Sequence, residues 1–214
     1  MKKLLVIAAL ATIAPLMAQA ESKFVTGNSG LSASANLDFS VTIPKVLFLQ
    51  VGTGTSYADN SAVNKIAFDV PAGSVGSGTR VAGSGGDLPV GGGVTVRVLG
   101  NSGNVTLDNT TTGPLSNGVS GDPTVPWSHI EVTAGALPTG TAGFTNAAIT
   151  HPPFNIGAAG GNSTTPTSLT ATGGVVRQEG SWNFAYANTA TLPAGTYGNT
   201  AANNGRVTYT ATTP

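Results

Sequence analysis

The stretch Leu31-Ser32-Ala33-Ser34-Ala35-Asn36-Leu37-Asp38-Phe39-Ser40-Val41-Thr42-Ile43 decides the fold class. Every odd position is apolar and every even one polar. A β-strand sends alternate side chains to opposite faces, so the pattern predicts a half-buried strand. The run is about twice the usual strand length of roughly 5–6 residues. It predicts either one strand crossing two sheets or two strands end to end. Pro44 closes it, because proline donates no ladder hydrogen bond.

Downstream, Val46-Leu47-Phe48-Leu49-Gln50-Val51 is almost continuously apolar and ends at Gly52, which predicts a strand buried on both faces. Shorter runs rich in Val, Thr and aromatics predict strands at residues 66–70, 94–99, 105–107, 129–132, 168–171, 175–178, 181–187 and 206–212. Gly, Asn and Pro turns separate them, and no apolar repeat at helical spacing is sustained after residue 20. The expected class is all-β: an antiparallel β-sandwich, immunoglobulin-like or pilin-like. Residues 71–93, 108–126 and 134–166 are uncharged for long stretches and dense in Gly, Thr, Ser and Pro, which predicts long loops.

Upstream, Lys2 and Lys3 precede an apolar run that ends near Met17 and meets Ala18-Gln19-Ala20. A basic region, an apolar region and a small-x-small site in that order predict a cleavable signal peptide over residues 1–20. Pro15 interrupts the run, which is shorter than the roughly 20 residues that span a bilayer. The expected location is therefore secreted or cell-surface, reached through the periplasm, with no transmembrane segment in the mature chain. Residues 21–36 form an N-terminal extension and residues 37–214 the expected β-domain.

Only 8% of the chain is charged, and after residue 20 seven basic residues face nine acidic ones. Such a balance offers no electrostatic footprint for nucleic acid and little repulsion between copies, so self-association is expected. There is no cysteine. An exported fold of this kind relies on packing and hydrogen bonds rather than disulfides.

Titratable groups that could do chemistry are sparse. His129 and His151 are the two histidines, and the carboxylates Asp38, Asp59, Asp69, Asp87, Asp108, Asp122, Glu131 and Glu179 are scattered singly. Neither a Gly-x-Ser-x-Gly elbow nor a Walker lysine occurs, and no paired His or Asp spacing marks a metal site. No catalytic residue, cofactor or metal is expected, and the chain reads as non-enzymatic. Trp182, Phe184 and Tyr186 share one strand face and read as a core stripe. Trp127, between Pro126 and Ser128, reads instead as an exposed ring and a candidate ligand contact.

The segment Leu192-Pro193-Ala194-Gly195-Thr196-Tyr197-Gly198-Asn199-Thr200, with Gly205-Arg206-Val207-Thr208-Tyr209-Thr210 after it, resembles the last two strands of spore-coat-U-like domains, the subunits of archaic chaperone-usher pili. In that family a Pro-Ala-Gly-Thr-Tyr turn leads into an alternating Val-Thr final strand. This chain departs from it in lacking cysteines near the first strand and in ending Thr212-Thr213-Pro214 rather than on an aromatic residue. The resemblance implies a pilin-like sandwich that lacks one strand, with the N-terminal extension of the next subunit added at the open edge. It implies Leu31, Ala33, Ala35, Leu37 and Phe39 as the assembly segment, self-association into a polymer, and a periplasmic chaperone and usher as partners. The expected function is a structural subunit of an extracellular filament, pilus or surface matrix. The alternative is a secreted carbohydrate-binding or adhesive module that uses Trp127 and the long loops.

Overall fold

The computed structural model describes residues 21–54 and 57–214. The expected signal peptide, residues 1–20, lies outside the described residues. The chain divides into two units, one ending at Pro44 and one spanning Lys45–Pro214.

In the first unit, residues 21–44 form no strand. Asn36 Nδ2 donates to Glu21 Oε2 at 2.6 Å. Leu31, Leu37, Phe39, Val41 and Ile43 are 54, 67, 86, 84 and 77% exposed. The half-buried strand expected over residues 31–43 is therefore not formed within one chain. The alternation is amphipathic as read, but an amphipathic strand needs a laddered neighbour and an apolar face to cover, and among the described residues this segment has neither.

In the second unit the strands are β1 (Leu47–Val51), β2 (Ile66–Ala67), β3 (Val81–Ala82), β4 (Ser84–Gly85), β5 (Gly93–Gly100), β6 (Val105–Thr111), β7 (Ile130–Gly135), β8 (Thr145–Asn146), β9 (Gly161–Asn162), β10 (Thr167–Leu169), β11 (Val176–Tyr186) and β12 (Thr208–Thr212). Among the described residues there is no α-helix, only three short 3-10 turns. The class is all-β with antiparallel sheets, as the turn-punctuated Val/Thr runs predict. β11 is the spine of the larger sheet. Its Ser181–Asn183 segment pairs with β5 on one edge and with β7 on the other. β1 extends the β5 side, β3 continues it beside Ala185 and Tyr186, and β8 runs parallel to β11 on the β7 side. In the second sheet β6 lies between β12 on one side and β9 and β10 on the other.

Two strands expected at 175–178 and 181–187 are one strand, β11. Gly180 does not break it. A side chain there would meet the carbonyls of Ala147 and Gly135, the latter at 2.9 Å, so glycine admits two neighbouring backbones to the same point. β1 also differs from expectation: Leu47 is 41% exposed, because β1 pairs only with β5 and stands at a sheet edge.

The core follows the strand alternation. Val94, Val96 and Val98 of β5, Val105 and Leu107 of β6, Leu169 of β10, and Val176 and Trp182 of β11 are buried in one cluster fed by both sheets. Trp182 is fully buried and its Nε1 donates to the Ile149 carbonyl at 2.7 Å, which satisfies the one polar atom of the indole. Phe184 is half-buried and Tyr186 buried on the same face, as a core stripe requires.

The opposite face of β5 and β11 carries charge. Arg97 and Glu179 are cross-strand partners, with Gln50 of β1 opposite Arg97 on the other side. Arg97 Nε and Nη2 donate to Glu179 Oε2 at 2.9 and 2.8 Å, and Nη1 donates to Gln50 Oε1 at 3.0 Å. The segment around β8 closes over them. Arg97 Nη2 donates to Thr141 Oγ1 at 2.7 Å, the Thr141 N–H donates to Glu179 Oε1, and Phe144 lies under both Arg97 and Arg177. Burial pushes the Glu179 carboxyl up, but the Thr141 hydrogen bonds and the Arg97 guanidinium outweigh it and hold it below the usual value.

Candidate functional site

β7 is Ile130-Glu131-Val132-Thr133-Ala134-Gly135, with apolar and polar positions alternating. Its Ile130, Val132 and Ala134 stand opposite Tyr186, Phe184 and Trp182, so they belong to the core-facing side of the sheet. Glu131 and Thr133 take the other side, where Glu131 pairs with Arg80. β7 is laddered to β11 alone, so among the described residues its outer edge has no strand partner. An edge of this kind leaves every second N–H and C=O pair unsatisfied by the sheet.

A strap, residues 149–156, flanks that edge. Pro152 and Pro153 cannot donate, so the strap is not a ladder strand and its carbonyls take side-chain donors instead. Trp182 holds the Ile149 carbonyl, Asn109 Nδ2 reaches those of Pro152 and Pro153 at 2.5 and 3.3 Å, and Thr111 Oγ1 reaches that of Asn155 at 3.2 Å. Between strap and strand lies an apolar groove of about 450 Å³. Ile130, Val132 and Ala134 form one wall and His151, Phe154 and Ile156 the other. Its volume falls in the range of about 300–1,000 Å³ typical of ligand clefts.

Trp127 is not the exposed ring that its flanking residues suggested. It is 6% exposed, its Nε1 donates to the Gly113 carbonyl at 2.7 Å, and its ring centroid sits 4.8 Å from that of Phe154. A 3-10 turn, Trp127–His129, tucks the indole under the mouth of the groove, where it contributes to the lining. Leu31, Ala33, Ala35, Leu37 and Phe39 lie outside every strand and outside the residues lining the groove.

His151 is the titratable group of the groove. Its ring meets Phe154 and Trp182 edge-on at 4.6 Å, with Phe184 and Tyr209 further out at 6.1 and 5.6 Å. Its Nε2 lies 2.8 Å from the Tyr209 hydroxyl. Burial lowers His151 to about 4 and raises the Tyr209 phenol well above its usual range. A base depressed in the folded state destabilises that state on protonation, so stability is full above about pH 6.5 and falls as pH drops toward 4. We expect urea unfolding to lose ~2–3 kcal/mol over that interval through this group. His151→Gln should flatten that part of the profile; an unchanged slope in the variant would contradict the assignment.

The groove residues were within reach of sequence reasoning only in part. The strand at 129–132 was expected, whereas its position at an open edge was not. Among the described residues no cluster of three or more His, Asp or Glu could hold a metal ion, and no helix is long and apolar enough to cross a membrane. No protein-family model matches the chain, and neither does any curated protein or solved structure.

Proposed function

We propose that the protein is an exported, non-enzymatic β-sandwich of pilin type, a structural subunit of an extracellular filament, pilus or surface matrix that assembles by strand addition. One observation carries the reading: among the described residues, the chain holds both an amphipathic segment with no strand partner and an edge strand, beside an apolar groove, with one side open. Each half supplies what the other lacks, since β-augmentation joins main-chain hydrogen bonds at an edge to alternate side chains in pockets. The sparse charge and cysteine-free composition suit a surface that packs against its own copies. Export by the signal peptide and delivery by a periplasmic chaperone and usher belong to the same reading.

A second reading, a secreted carbohydrate-binding or adhesive module, has one observation in its favour: the groove of about 450 Å³, a volume typical of ligand clefts. Purification of the mature chain separates the two. Ladders of multimers on gels after mild heating support the subunit; a monomer retained on a glycan matrix and released by free sugar supports the carbohydrate-binding module.

A further inference from the structure

We infer that the acceptor for strand addition is the outer edge of β7, and that its occupant is residues 37–43 of a second copy, running antiparallel with Phe39, Val41 and Ile43 opposite Ala134, Val132 and Ile130. The inference rests on the strand-addition reading and specifies it.

Three exposed apolar residues at alternate positions, Phe39, Val41 and Ile43, match three groove positions at alternate places on β7. The boundaries match as well. Ile43 is followed by Pro44, which ends a ladder, and Ile130 is preceded by the 3-10 turn Trp127–His129, which ends β7. In the antiparallel sense both terminators fall at the same end. That sense also sets the largest donor side chain, Phe39, opposite the smallest wall residue, Ala134, and leaves Ser40 and Thr42 beside Thr133 and Glu131 on the polar face. Residues 31, 33 and 35 would continue past the end of β7 at Gly135, so they are the outer part of the segment.

The occupant must come from another copy, because the chain cannot reach its own groove in this register. Leu47 stands level with Val176 through Gly100, and Ile130 stands level with Tyr186 at the far end of β11. That offset is about 33 Å along the strands, and the three strand spacings from β1 to β7 add roughly 14 Å across. The four residue steps from Ile43 to Leu47 span at most about 14 Å. Even in the parallel sense, with Ile43 opposite Ala134, the offset along β11 is about 20 Å, which still exceeds that reach. A segment that fits only a neighbour's groove makes a contact between copies, which propagates into a filament where two copies do not exchange segments and no ring closes.

The absence of native cysteine makes the register directly readable. Facing residues of an antiparallel pair lie about 4.5–5.5 Å apart at Cα, within disulfide range. Ser40→Cys with Thr133→Cys places both thiols on the exposed polar face, away from the groove. Under mild oxidation of the full mature chain this double variant should give reducible dimers and higher ladders, at least tenfold more than Ser40→Cys with Glu131→Cys, which reports the parallel sense. Phe39→Cys with Ala134→Cys provides the same reading from the groove side. If neither antiparallel pair cross-links while polymers form, β7 is not the acceptor and the strand-addition reading stands without it. Preferred cross-linking of the parallel pair overturns the register, and a disulfide confined to single chains overturns the second copy as donor. An absence of both polymers and cross-links overturns the reading and the inference together.

Discussion

Val41→Asp is expected to abolish polymer formation while leaving thermal unfolding of the subunit within a degree or two of wild type. Val41 is 84% exposed in the single chain, so the subunit fold loses almost nothing when it changes. In the proposed assembly the same position faces Val132, which lines the apolar groove. An aspartate there would surrender its hydration without a cation to pair with, at a cost of several kcal/mol. Since about 1.4 kcal/mol is a factor of ten in affinity, the expected loss at each contact is at least 100-fold. Val41→Thr keeps the shape and should weaken assembly far less. Sedimentation velocity and scanning calorimetry on the same samples check both halves. Polymers at wild-type yield from Val41→Asp would remove this segment from the contact.

The second large effect is on stability. Glu179→Ala strips the partner from Arg97, whose side chain is 11% exposed and committed to Glu179, Gln50 and Thr141. Breaking a buried pair by removing one partner costs ~3–5 kcal/mol, because the remaining charge is left uncompensated. At about 2–4 °C per kcal/mol for a domain of this size, Tm should fall by roughly 6–20 °C. Arg97→Met with Glu179→Leu should recover most of it, since matched apolar replacements of buried pairs are often neutral or stabilising. A single variant that melts within about 2 °C of wild type would contradict the described network. The pH dependence is that of a depressed carboxylate. Its contribution is present above the usual carboxylate value and is lost as pH falls through the lowered one. His151 acts earlier, between about pH 6.5 and 4, so the two groups divide the acid limb.

Much of the sheet was legible in the sequence, because alternation and turn residues are local. The Val-rich run at residues 94–99 was read as a strand and is β5, and the Trp182-Phe184-Tyr186 spacing located the aromatic stripe. What escaped was decided by neighbours. Gly180 reads as a break until two carbonyls are seen converging on it. Trp127 reads as exposed between Pro126 and Ser128, yet a 3-10 turn buries it and Gly113 takes its N–H. The Arg97–Glu179 pair joins residues more than eighty positions apart, and no local pattern announces it. The N-terminal alternation was legible as an amphipathic strand, but its lack of a strand partner among the described residues was not. Edge status is a property of topology: β1 looked like an interior strand, and β7 showed no sign that one of its sides was open.

Electron microscopy of the purified mature chain, across a concentration series at neutral pH, addresses the central claim most directly. Strand addition from copy to copy predicts unbranched filaments that grow with concentration and are absent in Val41→Asp. A monodisperse monomer at every concentration, with the fold intact by circular dichroism, would contradict it.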